Sequence, residues 1–233
     1  MAWISKLFGR TKPEREEFRI FSEKLGNAKI KHGEKSALVS YERNGEFDYA
    51  TYREVQQAGN KRKLGNVFVD ESMVRQIAEY SLKHIPVQFV ICHGTRNGTE
   101  QRFFKSFLPG VTVIGTEISE TATQFPDTIQ WDFHDVRPEW IGKVDLIYSN
   151  SWDHSYDPAK LFAAWASCLP QRGLMAIEHT EKHEPDKVNA LDPFGASLEG
   201  LIEVVANSSP LRMKEILHGS DERFRRRTVI FQR

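Results

Sequence analysis

From residue 87 onward the chain alternates short apolar runs with stretches in which apolar residues recur every three or four positions. The runs VQFVIC (87–92), VTVIGTE (111–117), TIQWDF (128–133), VDLIYSN (144–150) and GLMAIEH (173–179) have the length of buried strands. TEQRFFKSF, PAKLFAAWASCL and ASLEGLIEVVANS carry helical spacing between or after them. Strands alternating with helices at short intervals predict a doubly wound α/β fold, a mostly parallel sheet with helices on both faces. LRMKEILHG and RRTVIFQR end the chain with no long helix between them, which predicts an antiparallel hairpin at the sheet edge. Seven strands are expected in all.

Before residue 85 charged residues are denser and the pattern is mainly helical. REEFRIFSEKL places Phe18, Phe21 and Leu25 at helical spacing. ALVSYERNGEFDYATY predicts a hairpin or irregular pair turning at Asn44-Gly45, a dipeptide suited to positive backbone angles. DESMVRQIAEYSL reads as a helix capped by Asp70, with Met73, Ile77 and Tyr80 on one face. Residues 1–85 are therefore expected to form a small, mainly helical layer covering a core domain of residues 86–233.

Composition narrows the function. The 32 basic and 32 acidic side chains cancel, which argues against broad binding to nucleic acid. Cys92 and Cys168 lie in apolar segments and suit reduced thiols of a cytoplasmic protein. No apolar run approaches a membrane span of about 18 residues. The opening MAWISKLFGR is too short for a signal-peptide core and reads as a terminus or packing helix.

Ligands of doubly wound sheets bind beyond the carboxyl ends of the strands. Here those ends carry Gly94, Thr95, Arg96, Asn97 and Gly98; then Glu117; then Asp132 to Asp135; then Asn150 to His154; then Glu178 and His179. This rim of acids, amides and imidazoles is the main functional signal. Glycine allows the tight strand-to-helix turn in CHGTRNG. A dinucleotide would need one more glycine for its pyrophosphate, and Thr99 and Glu100 do not supply it. Glu117 ends the second strand, where a carboxylate can accept from both hydroxyls of a ribose.

The order of these segments over residues 87–233 resembles the class I S-adenosylmethionine-dependent methyltransferases, which are Rossmann-like. Gly94 and Gly98 match the first and third glycines of that family's loop; Cys92 stands at its acidic position and Arg96 at its middle glycine. The resemblance implies S-adenosylmethionine as cofactor. It places Gly94, Thr95, Arg96 and Gly98 at the loop and Glu117 with Ile118 at the ribose; the planar fork of donors on Arg96, where the family has glycine, suits the cofactor's carboxylate. Asp135 falls at the position that meets the adenine amino group, with Val136 beside the base; Asp132 is the second candidate, and Phe133 stacks on the ring. Asn150 and Ser151 would hold the amino-acid end, and Asp153 and His154 would face the acceptor.

His154 is the first candidate for a base that removes the acceptor's proton, and His179 the second. Asp157 is expected to cap the helix that begins at Pro158. Glu178, His179 and His183 would line the acceptor pocket or, with Asp153 and His154, take a divalent cation. The aspartate–asparagine pair of the cation-dependent O-methyltransferases is missing, so no metal is expected. Lys61-Arg62-Lys63 and Arg225-Arg226-Arg227 read as solvated faces, the first within reach of an anionic substrate. The expected reaction is in-line methyl transfer to an oxygen or nitrogen of an acceptor, a small molecule or glycan rather than nucleic acid. A nicotinamide-dependent oxidoreductase and a non-catalytic protein of the same fold are the rival readings. The oligomeric state is not legible.

Overall fold

The computed structural model describes residues 29–220 and 225–233. The helix expected over REEFRIFSEKL, like the opening MAWISKLFGR, lies outside them. At the centre is a seven-stranded sheet. Its strands are β5 (Phe89–His93), β6 (Thr112–Glu117), β7 (Thr128–Gln130), β8 (Leu146–Ser149), β9 (Leu174–His179), β11 (Arg212–His218) and β12 (Arg227–Gln232). Their spatial order is β11-β12-β9-β8-β5-β6-β7, parallel from β9 to β7 and antiparallel at β9–β12–β11. The doubly wound sheet with its terminal hairpin is thus the architecture that the spacing of apolar runs predicts.

Strand pleating explains why both faces are buried. Val90, Cys92, Leu146, Tyr148 and Ala176 point to one face, where α2 (Glu71–His84) and α3 (Thr99–Phe107) pack through residues such as Met73, Ile77 and Phe104. Ile91, Ile147, Met175 and Ile177 point to the other, against α4 (Pro158–Cys168) and α5 (Leu198–Ser208) through Leu161, Trp165 and Leu201. Helix starts follow the sequence: Asp70 accepts from Met73 N at 2.9 Å and Asp157 from Lys160 N at 2.9 Å. Among the described residues no helix is long and apolar enough to cross a membrane.

Three features depart from the periodicity. The turn at Asn44-Gly45 forms with φ of 55° and 85°, but its strands, β3 (Glu42–Arg43) and β4 (Glu46–Phe47), are only two residues each. DYATY then opens a 14-residue helix, α1 (Tyr49–Arg62), capped by Asp48. Its buried positions are Tyr52, Val55, Gln56, Gly59 and Asn60, so three of five carry no apolar side chain and the helical stripe is invisible to hydrophobicity. TIQWDF is strand only as far as Gln130, because the Asp132 carboxylate accepts from His134 N and turns the chain. Finally, β1 (Ile30–His32) and β2 (Ser36–Val39) form a separate sheet with β10 (Phe194–Ala196), a strand between β9 and α5. That pairing fixes the loop after β9 against the N-terminal segment.

Ile91 is fully buried at the sheet centre, so Ile91→Ala should cost about 2–5 kcal/mol in urea unfolding. Asp48→Ala, which removes only the cap of α1, should cost about 1 kcal/mol in the same measurement.

Candidate functional site

The loop after β5 is held at both ends. Gly94 N and Thr95 N both donate to Thr116 O of β6, at 2.9 and 3.0 Å. Gly94 has φ +75°, and a Cβ there would stand 2.7 Å from Ser151 Cβ, so only glycine lets the loop pass the end of β8. Arg96, a non-glycine residue, also sits at positive φ, 44°. What holds it there is Glu117: the carboxylate accepts from Arg96 N at 3.1 Å and from Ser119 N at 3.0 Å. Burial raises the Glu117 pKa, an effect opposed by those N–H groups and by the nearby Arg96 charge. Cys92, at the position usually acidic, is enclosed, and burial drives its thiol well above the ordinary range.

Beside this loop lies a cavity of about 570 Å³, its open mouth included. Gly94, Glu117, Ile118, Trp131 and Phe133 form one wall; Tyr52, Gln56 and Asn60 of α1 form the other. Apolar and aromatic walls with a carboxylate at one end suit a flat heterocycle joined to a sugar. A second, wider and more polar chamber of about 1160 Å³ opens next to it. Lys63, Gly94, Arg96, Ser151 and His154 border both. Arg96 stands at this junction, its guanidinium 4.8 Å above the Phe68 ring and its Nε buried without a partner.

The second chamber is lined by acids that burial makes reluctant to ionise. Glu100 and Glu178 are raised to about 7, and Asp153 well above its usual value. Glu178 is paired with Arg226 and accepts from Tyr148 OH at 3.1 Å. Among the described residues Glu100 Oε2 and Asp153 Oδ1 are buried without a hydrogen-bond partner. His154 is oriented from both sides: its Nδ1 lies 2.7 Å from Gln56 Oε1, and its Nε2 3.6 Å from Asp192 Oδ1. Burial, with Lys63 and Arg96 nearby, lowers its pKa to about 4, so the ring is neutral near pH 7.

The structure gathers most of the expected rim. Gly94, Arg96, Glu117, Ile118, Phe133, Ser151 and His154 share the first cavity, and Asn150 and Asp153 join the second. Thr95 and Gly98 shape the loop from behind, Gly98 at φ +74° where α3 begins. Other expected residues are elsewhere. Asp135 is exposed and pairs with Lys160 at 2.8 Å. Asp132 is turned away from the cavity, accepting from Tyr49 OH at 2.8 Å and facing His134 Nδ1 at 2.7 Å. His179 lies fully buried, its Nε2 donating to Ala196 O at 2.9 Å, and cannot touch an acceptor. Arg226, expected on a solvated face, is half-buried as the partner of Glu178, while Lys63 lines both cavities.

Sequence reasoning missed Gln56, Asn60, Glu100, Leu191 and Asp192. For α1 a signal existed: Gln56, Gly59, Asn60 and Lys63 are non-apolar at helical spacing, a stripe that faces a cavity. For Leu191 and Asp192 there was none, because the β2–β10 pairing that brings their loop to the site is non-local.

No protein-family model matches the chain, and no curated protein sequence does. Solved structures do. The N1-methyltransferase of 1,6-didemethyltoxoflavin from Burkholderia thailandensis, with that compound and S-adenosylhomocysteine bound, aligns over 88% of this chain and 99% of its own at 12% identity and a TM-score of 0.62. The putative methyltransferase in complex with the Trm112 activator of Haloferax volcanii aligns over 80% and 99% at 16% identity and 0.56. The mitomycin 7-O-methyltransferase MmcR aligns over 70% of this chain and 53% of its own at 13% identity and 0.55. The chain therefore has the fold of class I S-adenosylmethionine-dependent methyltransferases.

The buried acids give a pH signature. The Glu100 carboxyl ordinarily loses its proton near 4.5 but in the fold only at about 7. Between those values the folded state holds more protons than the unfolded, so this group's contribution to stability falls as pH rises. Glu100→Gln should gain on wild type from pH 5 to pH 8, by on the order of 3 kcal/mol in paired unfolding curves. A stability difference that is constant across that range would refute the assignment.

Proposed function

We propose that the chain is an S-adenosylmethionine-dependent methyltransferase whose first cavity takes the adenosine of the cofactor and whose polar chamber takes the methyl acceptor. The observation that carries this reading is the hydrogen bond between Arg96 N and the Glu117 carboxylate, which sets glycine loop and acid side by side at adjacent strand ends. Two further features suit the cofactor. Gly94, where a Cβ would meet Ser151, keeps the loop against the end of β8, and the Arg96 guanidinium, its Nε unpartnered among the described residues, stands where adenosine cavity and polar chamber meet. A loop without the pyrophosphate glycine suits a nucleoside ligand that has no diphosphate.

In this assignment Glu117 uses its remaining lone pairs on the ribose hydroxyls, and Ile118, Trp131 and Phe133 hold the adenine. Thr95 and Gly98 keep the loop in shape. Arg96 takes the carboxylate of the methionine moiety, and Asn150 and Ser151 its amino end. Asp132 and Asp135 have no part in it, since their carboxylates are engaged with Tyr49, His134 and Lys160. Bound there, the cofactor supplies an electrophilic methyl carbon on a sulfonium sulfur. The chain's own work is to align acceptor and methyl carbon and to exclude water. His154, neutral and at the seam of the two cavities, is the group placed to take the acceptor proton. Residues 49–68 act as a covering layer, since Tyr52, Gln56, Lys63 and Phe68 border the two cavities. The chamber's concave lining of polar and charged side chains suits a small-molecule acceptor.

Calorimetry with S-adenosylhomocysteine and with NAD tests the reading. S-adenosylhomocysteine should bind and NAD should not. Glu117→Ala and Arg96→Ala should each weaken S-adenosylhomocysteine about tenfold to a hundredfold, the cost of a hydrogen bond to a charged group. Wild-type affinity in Glu117→Ala, or preference for NAD, would overturn it.

A further inference from the structure

Asp153, His154 and Asp192 each bring one ligand atom to a common point, all within 4.8 Å of one another. Two come from the end of β8 and the third from the loop that the β2–β10 pairing fixes. Hydrogen bonding settles which atoms face the centre. The Gln56 amide donates Nε2 to Leu191 O at 3.1 Å, so its Oε1 faces His154 and accepts from Nδ1–H at 2.7 Å. His154 Nε2 therefore carries a lone pair, directed at Asp192 Oδ1 3.6 Å away. Asp153, 7% exposed, adds an Oδ1 that is buried with no hydrogen-bond partner. A neutral imidazole nitrogen and two carboxyl groups thus converge at the seam, beside Lys63 and Arg96, which border both cavities.

We propose that these three residues bind a divalent cation at the seam of the two cavities. Each ligand also has a group that orients it, as ligands of built metal sites do. Gln56 fixes His154. Asn189 Nδ2 donates to Asp192 Oδ2 at 3.0 Å. His183 accepts from Thr180 N at its Nδ1, so its proton sits on Nε2, which faces Asp153 Oδ2 at 3.8 Å. One imidazole with two carboxylates suits first-row ions such as Mn²⁺, Co²⁺ or Zn²⁺, and three protein ligands leave positions open for a substrate oxygen.

The site stands on this geometry alone; its role rests on the methyl-transfer reading. With the cation in place the His154 lone pair is committed to it, and the acceptor hydroxyl is activated by coordination instead. The acceptor O–H loses its proton to solvent water, the oxygen forms the new O–C bond, and the electrons of the broken C–S bond stay on sulfur. The acceptor class is then a hydroxyl compound able to ligate a cation through that oxygen.

The test uses the full chain, stripped with a chelator and titrated with MnCl₂ or ZnCl₂. About one equivalent per chain should bind, by calorimetry and elemental analysis. Asp192→Asn and Asp153→Asn should each weaken binding at least tenfold, with S-adenosylhomocysteine affinity kept in Asp192→Asn. Should the variants fail to fold, spin-echo spectra of Mn²⁺ on the wild-type chain still decide the matter: nitrogen coupling from a single imidazole supports the site. No stoichiometric metal on the wild type, or metal bound without that coupling, overturns the inference and returns His154 to the part of direct base. Metal binding without S-adenosylhomocysteine binding would sink the methyl-transfer reading and leave the site standing.

Discussion

The site depends on one buried carboxylate accepting two backbone N–H groups. Glu117 takes Arg96 N from the loop after β5 and Ser119 N from its own strand end. A side chain that bridges adjacent strand ends fixes the loop more firmly than its glycines do, since glycine only permits a conformation. It also offsets the positive φ of Arg96, which would otherwise cost about 1–2 kcal/mol. With the loop so placed, Gly94 meets Ser151 too closely for any side chain, and the ends of β5, β6 and β8 form one surface.

The cover over that surface is built from distant pieces of chain. α1 is amphipathic in an unusual sense, presenting Gln56 and Asn60 as well as Tyr52 to a cavity, while Tyr52 and Val55 pack with Tyr41. Gln56 then binds both His154 and Leu191 O, joining the N-terminal helix, the β8 rim and the loop after β9. Tyr52 adds a second tie, donating to His154 O at 3.0 Å.

The two cavities share Lys63 and Arg96 but differ in their acids. The first has one, Glu117. The second buries Glu100, Asp153 and Glu178, only the last of which has a cation in contact. Burying carboxylates is costly, and this chamber gathers three of them beside the cations Lys63, Arg96, Lys182 and Arg226. Arg96 and Lys63, between the two, are cations shared by both.

The pattern of the chain determined the sheet, its helices on both faces and the hairpin, because short apolar runs such as VQFVIC and GLMAIEH, alternating with segments of helical spacing, have the length of strands buried on both sides. It also determined the rim, since residues just past such strands must lie at their carboxyl ends; Gly94, Arg96, Glu117, Ser151 and His154 were legible for that reason. Only the tertiary structure decided which rim side chains turn inward. Asp135 went to Lys160, Asp132 to Tyr49 and His134, and His179 to Ala196 O, because each found a nearer partner that no spacing rule reveals. Asp192 entered by the opposite route, carried in by strand pairing across more than 150 positions of sequence. Local pattern encodes which face of an element is buried; the contacts that complete a site are made between elements, and those depend on the fold as a whole.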